Sequence, residues 1–155
     1  MNLSEHLTLD EVIISDTAKR ANISNQPTAE HLANLKLLAT NIFEKIRTHF
    51  GVPIYVSSGY RSEALNKAVG GSLTSQHCKG EALDLDQDGK NNGVSNAQVF
   101  SYIKDNLNFD QLIWEFGNSS NPDWVHVSFS ASGKQRKQIL KAVRNANGGT
   151  EYKPY

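Results

Sequence analysis

Ser75-Gln76-His77-Cys78-Lys79-Gly80-Glu81-Ala82-Leu83-Asp84 decides the reading of this chain, together with Asp123-Trp124-Val125-His126-Val127-Ser128 further along. Glu81 to Asp86 reads as a short strand, with Ala82, Asp84 and Asp86 on one face and Leu83 and Leu85 on the other. The second stretch also reads as a strand. Trp124, His126 and Ser128 face one way there, and Val125, Val127 and Phe129 the other. If the two strands are neighbours, Asp84 and His126 converge, and His77 arrives from the loop just before. Two imidazoles and one carboxylate make a three-ligand zinc site whose fourth position stays open for water, the arrangement of catalytic zinc. Asp123, three positions before His126, is placed to activate that water.

Working outward, Pro27-Thr28 announces a helix with Thr28 as N-cap. Leu35, Leu38, Ile42, Phe43 and Ile46 follow at helical spacing until Gly51, which makes this the main core helix. Upstream, residues 3–26 read as irregular apart from a short helical stretch over 9–14. Val52 to Ser57 is rich in strand formers and ends at the turn Ser58-Gly59-Tyr60-Arg61. A short helix is predicted over 62–69, and 72–80 reads as loop. Ser95-Asn96-Ala97-Gln98 is a capping box opening a helix with Val99, Tyr102, Ile103 and Leu107 on one face. Gln111 to Phe116 reads as a strand, a final helix is expected over 134–145, and the tail from Gly148 is expected to fray. Helices flanking a small, mostly antiparallel sheet make the fold class α+β. The 155 residues suit one domain, with its core over about 7–146.

Composition narrows the partners. Sixteen basic and sixteen acidic residues cancel, so no global field draws the chain to nucleic acid. Lys134, Arg136, Lys137, Lys141 and Arg144 would make the last helix basic, which is ordinarily a solvated face and otherwise a surface for anionic polymers. One cysteine, Cys78, excludes a disulfide framework. No apolar run is long enough to span a bilayer, so membrane insertion is not expected. The first residues lack the pattern of a signal peptide, which points to synthesis and retention in a cytoplasm. A monomer is expected.

Several residues carry competing readings. A lone histidine on a strand is ordinarily a packed or surface residue, and the helical His-Glu-x-x-His pattern is absent. Asp84-Leu85-Asp86-Gln87-Asp88-Gly89 matches the first half of a calcium loop, but Ser95 stands where the closing acid belongs. Asp86 and Asp88 are then either solvated loop acids or a weaker calcium site. Glu115 shares a strand face with Gln111 and Ile113, and reads equally as a partner to a metal-bound imidazole or as an exposed acid. Trp114 and Trp124 either wall a groove or belong to the core.

Ser57-Ser58-Gly59-Tyr60-Arg61-Ser62, Val69-Gly70-Gly71-Ser72, Ser75-Gln76-His77 with Gly80, Ala82 and Asp84, and the Trp-Val-His-Val-Ser run at 124–128 together resemble the zinc D-alanyl-D-alanine carboxypeptidases. That family includes phage endolysins that cut the L-alanyl-D-glutamate bond, and it shares its fold with the Hedgehog signalling domain. The resemblance implies a Hedgehog/DD-peptidase-like fold and one Zn2+ per chain, held by His77, Asp84 and His126. It implies Asp123 as the acid/base and Arg61 as the group that stabilises the developing oxyanion. The substrate it implies is a peptidoglycan stem peptide, with Tyr60, Ser75, Gln76 and Trp124 as candidate contacts. A phage or prophage product released at lysis, or carried in a virion, would fit the missing signal peptide. A non-catalytic zinc-binding recognition module, or a phage structural protein, is the alternative on the same fold.

Overall fold

The computed structural model describes residues 1–155. Its elements are α1 (Leu9–Ile13), α2 (Asp16–Ala21), α3 (Ala29–Leu38), a π-helical turn (Ala39–Phe43), α4 (Glu44–Phe50), β1 (Val56–Ser58), α5 (Glu63–Ala68), a 3₁₀ turn (Gln76–Lys79), β2 (Ala82–Leu85), α6 (Asn96–Asn106), β3 (Gln111–Glu115), β4 (Trp124–Ser128), β5 (Gln138–Arg144) and β6 (Thr150–Pro154). The architecture is α+β, with a six-stranded sheet in the order β1-β2-β4-β3-β5-β6. Every neighbouring pair is antiparallel except β3 with β5.

The caps expected from sequence are in place. Thr28 accepts from the backbone N–H of His31, and Ser95 and Gln98 close a reciprocal capping box. The long helix runs from Ala29 to Phe50 and carries the π-helical turn at its centre. Its Leu35, Leu38, Ile42 and Ile46 are all at most 1% exposed, because one face packs onto the sheet. Val99, Phe100 and Ile103 of α6 pack on the same layer. The sheet answers with Leu83, Leu85, Val125, Val127, Leu112 and Trp114. Burying each such side chain is worth about 1.5–3 kcal/mol. Trp114 is therefore a core residue, with its indole N–H donated to the Asn118 carbonyl at 3.1 Å.

Strand alternation sends the other residues to the opposite face. In the β2–β4 register Asp84 stands opposite His126, and in the β3–β4 register His126 stands opposite Ile113. Leu140 and Ala142 of β5 continue these rows beside Ile113 and Glu115. The helix-free face of the sheet is thus the floor of the site.

Two expectations fail at the C-terminus and two near the start. Residues 138–144 form a strand rather than the end of a helix. Ile139 and Val143 on one side and Leu140 and Ala142 on the other fit the open edge of β3, and that pairing overrides helical propensity. The basic helical face consequently does not exist: Lys141 and Arg144 fall on opposite faces of β5. The tail is a paired strand, not a frayed end. Asn145 turns the chain by accepting from the N–H groups of Asn147 and Gly149. Upstream, α2 is a helix that the sequence reading missed, and β1 is shorter than the expected strand.

The crossover from β4 to β5 is held by Asp110. Its carboxylate accepts from the backbone N–H of Arg136 at 3.0 Å and from the Arg136 guanidinium at 2.8 Å. Burial pushes the Asp110 carboxyl up, but these Arg136 bonds outweigh it and hold the group below its ordinary value.

Tyr155 packs against Phe100 and Trp114, at ring separations of 4.7 and 5.9 Å. Tyr155→Ala is expected to cost about 1 kcal/mol and to lower the thermal midpoint by about 3 °C. A melt monitored by tryptophan fluorescence checks this; an unchanged midpoint would mean the tail does not support the fold.

Candidate metal centre

His77 lies in the 3₁₀ turn, where Ser75 caps the segment by accepting from the His77 N–H at 3.3 Å. Gly80 ends the turn at φ 74°, and a Cβ there would stand 2.5 Å from the His31 carbonyl oxygen, so a glycine is required. The His77 ring is 2% exposed in total, and its Nδ1 lies 2.6 Å from the Gly59 carbonyl oxygen. A carbonyl only accepts, so Nδ1 carries a proton and Nε2 is left facing Asp84, where a bound metal would take the place of any proton that Nε2 donates. Gly59 itself packs against α1, where a Cβ would come within 2.7 Å of Val12 Cβ.

Asp84 is central. Its Oδ1 is 3.3 Å from His77 Nε2 and 3.1 Å from His126 Nδ1. One donor atom from each of the three residues lies within 4.8 Å of the others. Zinc bonds of about 2.0–2.1 Å in tetrahedral geometry place ligand atoms roughly 3.3 Å apart. The donor set and its spacing therefore fit such an ion. Burial would raise the Asp84 carboxyl, but the facing His77 and the hydrogen bonds from both imidazoles hold it far below the usual carboxylate range. It is ionised, as a ligand must be.

The triad opens into a cleft of about 790 Å³. Arg61, Ser75, Gln76, Glu115 and Trp124 all line it. Arg61 is positioned by its backbone N–H, which donates to the His77 carbonyl at 3.1 Å, and its buried Nε has no partner. The turn beneath it rests on Asn25, which donates to the carbonyls of Ile13 and Tyr60 and accepts from the Ser62 N–H. Gln76 donates to Asp110 at 3.1 Å.

Two expected site residues lie elsewhere. Tyr60 is 5% exposed, belongs to the core, and bonds through its hydroxyl to His31 at 3.1 Å. Asp123 is exposed and does not line the cleft. Its N–H donates to the Glu115 carbonyl, so it continues β4 by one residue and falls on the side opposite Trp124 and His126. Glu115 is instead the acid in the cleft, 6% exposed and on the same face as Ile113 and His126. Burial pushes its carboxyl up to about 7, opposed by His126 and assisted by the Asp84 charge. The strand period already placed Glu115 with Ile113; its burial was the missing part.

Asp86 and Asp88 use carboxylate oxygens for local bonds, Asp86 accepting from Asn96 at 2.9 Å and Asp88 from Asn121 at 3.2 Å.

Residues 5–128 match the family model of peptidase M15. The chain belongs to the peptidase M15 family. M15 peptidases are zinc-dependent, act on peptides, and supply the context in which His77, Asp84 and His126 could form a metal site. No curated protein matches the chain. No helix of this M15 chain is long and apolar enough to cross a membrane.

Asp84→Asn should weaken metal binding by more than about a hundredfold, since even partners behind the ligands contribute 10–100-fold. Titration with a zinc chelator reads this, and retained affinity would remove Asp84 from the ligand set. Glu115 supplies a second prediction, for the metal-free protein. Ionising a carboxyl whose folded value is raised costs the folded state. That cost starts above about 4.5 and is complete above about 7. Glu115→Gln should therefore match the parent near pH 5 and exceed its stability by up to about 3 kcal/mol near pH 8. Denaturant melts at the two pH values test the sign.

Proposed function

We propose that this protein is a zinc metallopeptidase that hydrolyses an amide bond in peptidoglycan stem peptides. One zinc per chain is held by His77, Asp84 and His126. The observation that carries the reading is the convergence of these three donors, from two strands and a 3₁₀ turn, on the floor of a cleft that also holds a nearly buried carboxyl, Glu115. A zinc ion held there supplies Lewis acidity and acidifies water to a pKa of roughly 7.

The protein's own groups do the rest. Glu115 accepts a proton from the attacking water and returns it to the departing amine nitrogen. A carboxyl that burial already pushes up is a better proton acceptor than an exposed one, and it lines the same cleft as the three donors. The exposure of Asp123 and its absence from the cleft lining support Glu115 rather than Asp123 in this role. Arg61 donates to the scissile carbonyl oxygen as negative charge develops there, using a guanidinium whose buried Nε is otherwise unpartnered. Trp124, half-buried in the cleft wall, packs along the peptide. Ser75 and Gln76 shape the wall, since the Ser75 hydroxyl caps the turn and the Gln76 amide N–H is donated to Asp110.

The alternative of a zinc-binding recognition module leaves Glu115 without a task. A carboxyl kept nearly buried beside Asp84 is unfavourable for folding, and catalysis explains its presence.

Stem-peptide fragments incubated with the zinc-loaded protein should be cleaved, and a chelated control should not; mass spectrometry identifies the bond. Loss of a terminal alanine alone would make it a carboxypeptidase, an internal cut an endopeptidase. Glu115→Gln should lower kcat by about 10²–10⁴ while zinc remains bound, and Asp123→Ala should leave kcat within a few-fold. The reverse pattern would return the base role to Asp123, and an intact peptide under all conditions would leave the recognition module as the better reading.

A further inference from the structure

The β5–β6 hairpin lies outside the residues matched to the family, yet it builds one side of the cleft. Glu115, Ala142 and Tyr152 form one row across β3, β5 and β6, and Arg144 pairs with Thr150 in the row two residues on. Arg144, Thr150 and Tyr152 line the same cleft as the metal ligands. Ala142, between Glu115 and Tyr152 in this row, is fully buried.

Arg144 is held in a particular way. Its guanidinium carbon sits 4.3 Å from the centre of the Phe116 ring, and Phe116 packs on Trp124 at 5.5 Å. Phe116 adopts φ 55°, the left-handed region that a phenylalanine rarely takes, so its place beneath the guanidinium is sustained by the surrounding structure. Arg144 takes part in none of the molecule's ion pairs, whereas Arg136, the cleft's other arginine on this side, is committed to Asp110. A guanidinium stacked on an aromatic face keeps its planar fork free for a carboxylate.

We propose that Arg144, stacked on Phe116 and flanked by Tyr152, binds a side-branch carboxylate of the peptide substrate and so sets specificity for anionic peptides; this rests on the peptidase reading. Leu140 shares a row with Ile113 and His126, two strands and about 10 Å from His126, and Arg144 is four residues further along β5, about 13 Å at ~3.3 Å per residue, so the two backbone positions are about 16 Å apart. Allowing for the reach of an arginine, the carboxylate lies about three residues of extended peptide from the cut amide. Arg144 is therefore a specificity residue, remote from the bond that breaks.

The test uses zinc-loaded protein and stem peptides whose glutamate and diaminopimelate carboxylates are separately free or amidated. The parent should lose about tenfold in kcat/KM on amidation of one of them, mainly through KM. Arg144→Gln should be indifferent to that same change, and Arg144→Lys should recover part of the discrimination. Calorimetric binding of the same peptides to Glu115→Gln, with and without Arg144→Gln, repeats the comparison without turnover. A parent indifferent to every amidation, or an Arg144→Gln protein that keeps the parent's discrimination, overturns the proposal. If no peptide is cut by the parent, the peptidase reading fails, and the binding comparison still decides Arg144.

Discussion

Asp84 and His126 stand directly opposite each other on neighbouring antiparallel strands, and the rest of the site depends on that register. The register is enforced from the other side of the sheet. Leu83, Leu85, Val125 and Val127 alternate with Asp84 and His126 and fill the core under α6 and the long helix. A slip of one residue would send every one of these side chains to the wrong face, placing Asp84 in the apolar layer and leucines in the cleft. Hydrophobic burial on one face thus sets the position of the donors on the other. The ionised Asp84 is stable there because two imidazoles face it.

His77 reaches the same point by a different route, through local backbone contacts rather than sheet register. The Gly59 carbonyl receives its Nδ1 proton, the Arg61 N–H binds its carbonyl, and Gly59 and Tyr60 are pressed against Val12 of α1. A chain of close main-chain approaches therefore connects α1, the Ser-Gly-Tyr-Arg turn and His77. The same chain delivers Arg61 to the cleft. Orientation of the imidazole and placement of the guanidinium are two results of one turn, which is why that turn tolerates so little bulk.

The sheet does not end with β2 and β4. Asp110 draws the crossover segment down by gripping Arg136 through backbone and side chain, and β5 is thereby laid parallel to β3 on its open edge. The hairpin then brings Leu140, Ala142 and Tyr152 into line with the rows that hold His126 and Glu115. The same segment that covers a sheet edge also lengthens the cleft and gives it a cation remote from Asp84 and His126.

Much of this was legible in the residues themselves. The strands around Asp84 and His126 announce themselves by alternation, Thr28 and Ser95 by capping chemistry, and the ligand set by side chains whose donor chemistry suits one ion. These are properties of short segments, and local preference and pattern suffice to state them. Motif spacing drew attention to Asp123, whereas the strand period sends that residue to the other side and Glu115 to the cleft; the burial of Glu115 is a property of the assembled sheet. The last segment was misread as a helix because a run such as Gln138-Ile139-Leu140-Lys141-Ala142-Val143 satisfies either period, and only the vacant edge of β3 favours the strand. The sequence by itself determined which atoms could bind a metal and that the segments around Asp84, Ile113 and His126 would form strands. Tertiary structure decided which carboxyl stands beside those atoms, which arginines face the cleft, and how far the sheet extends, because each depends on neighbours distant in the chain.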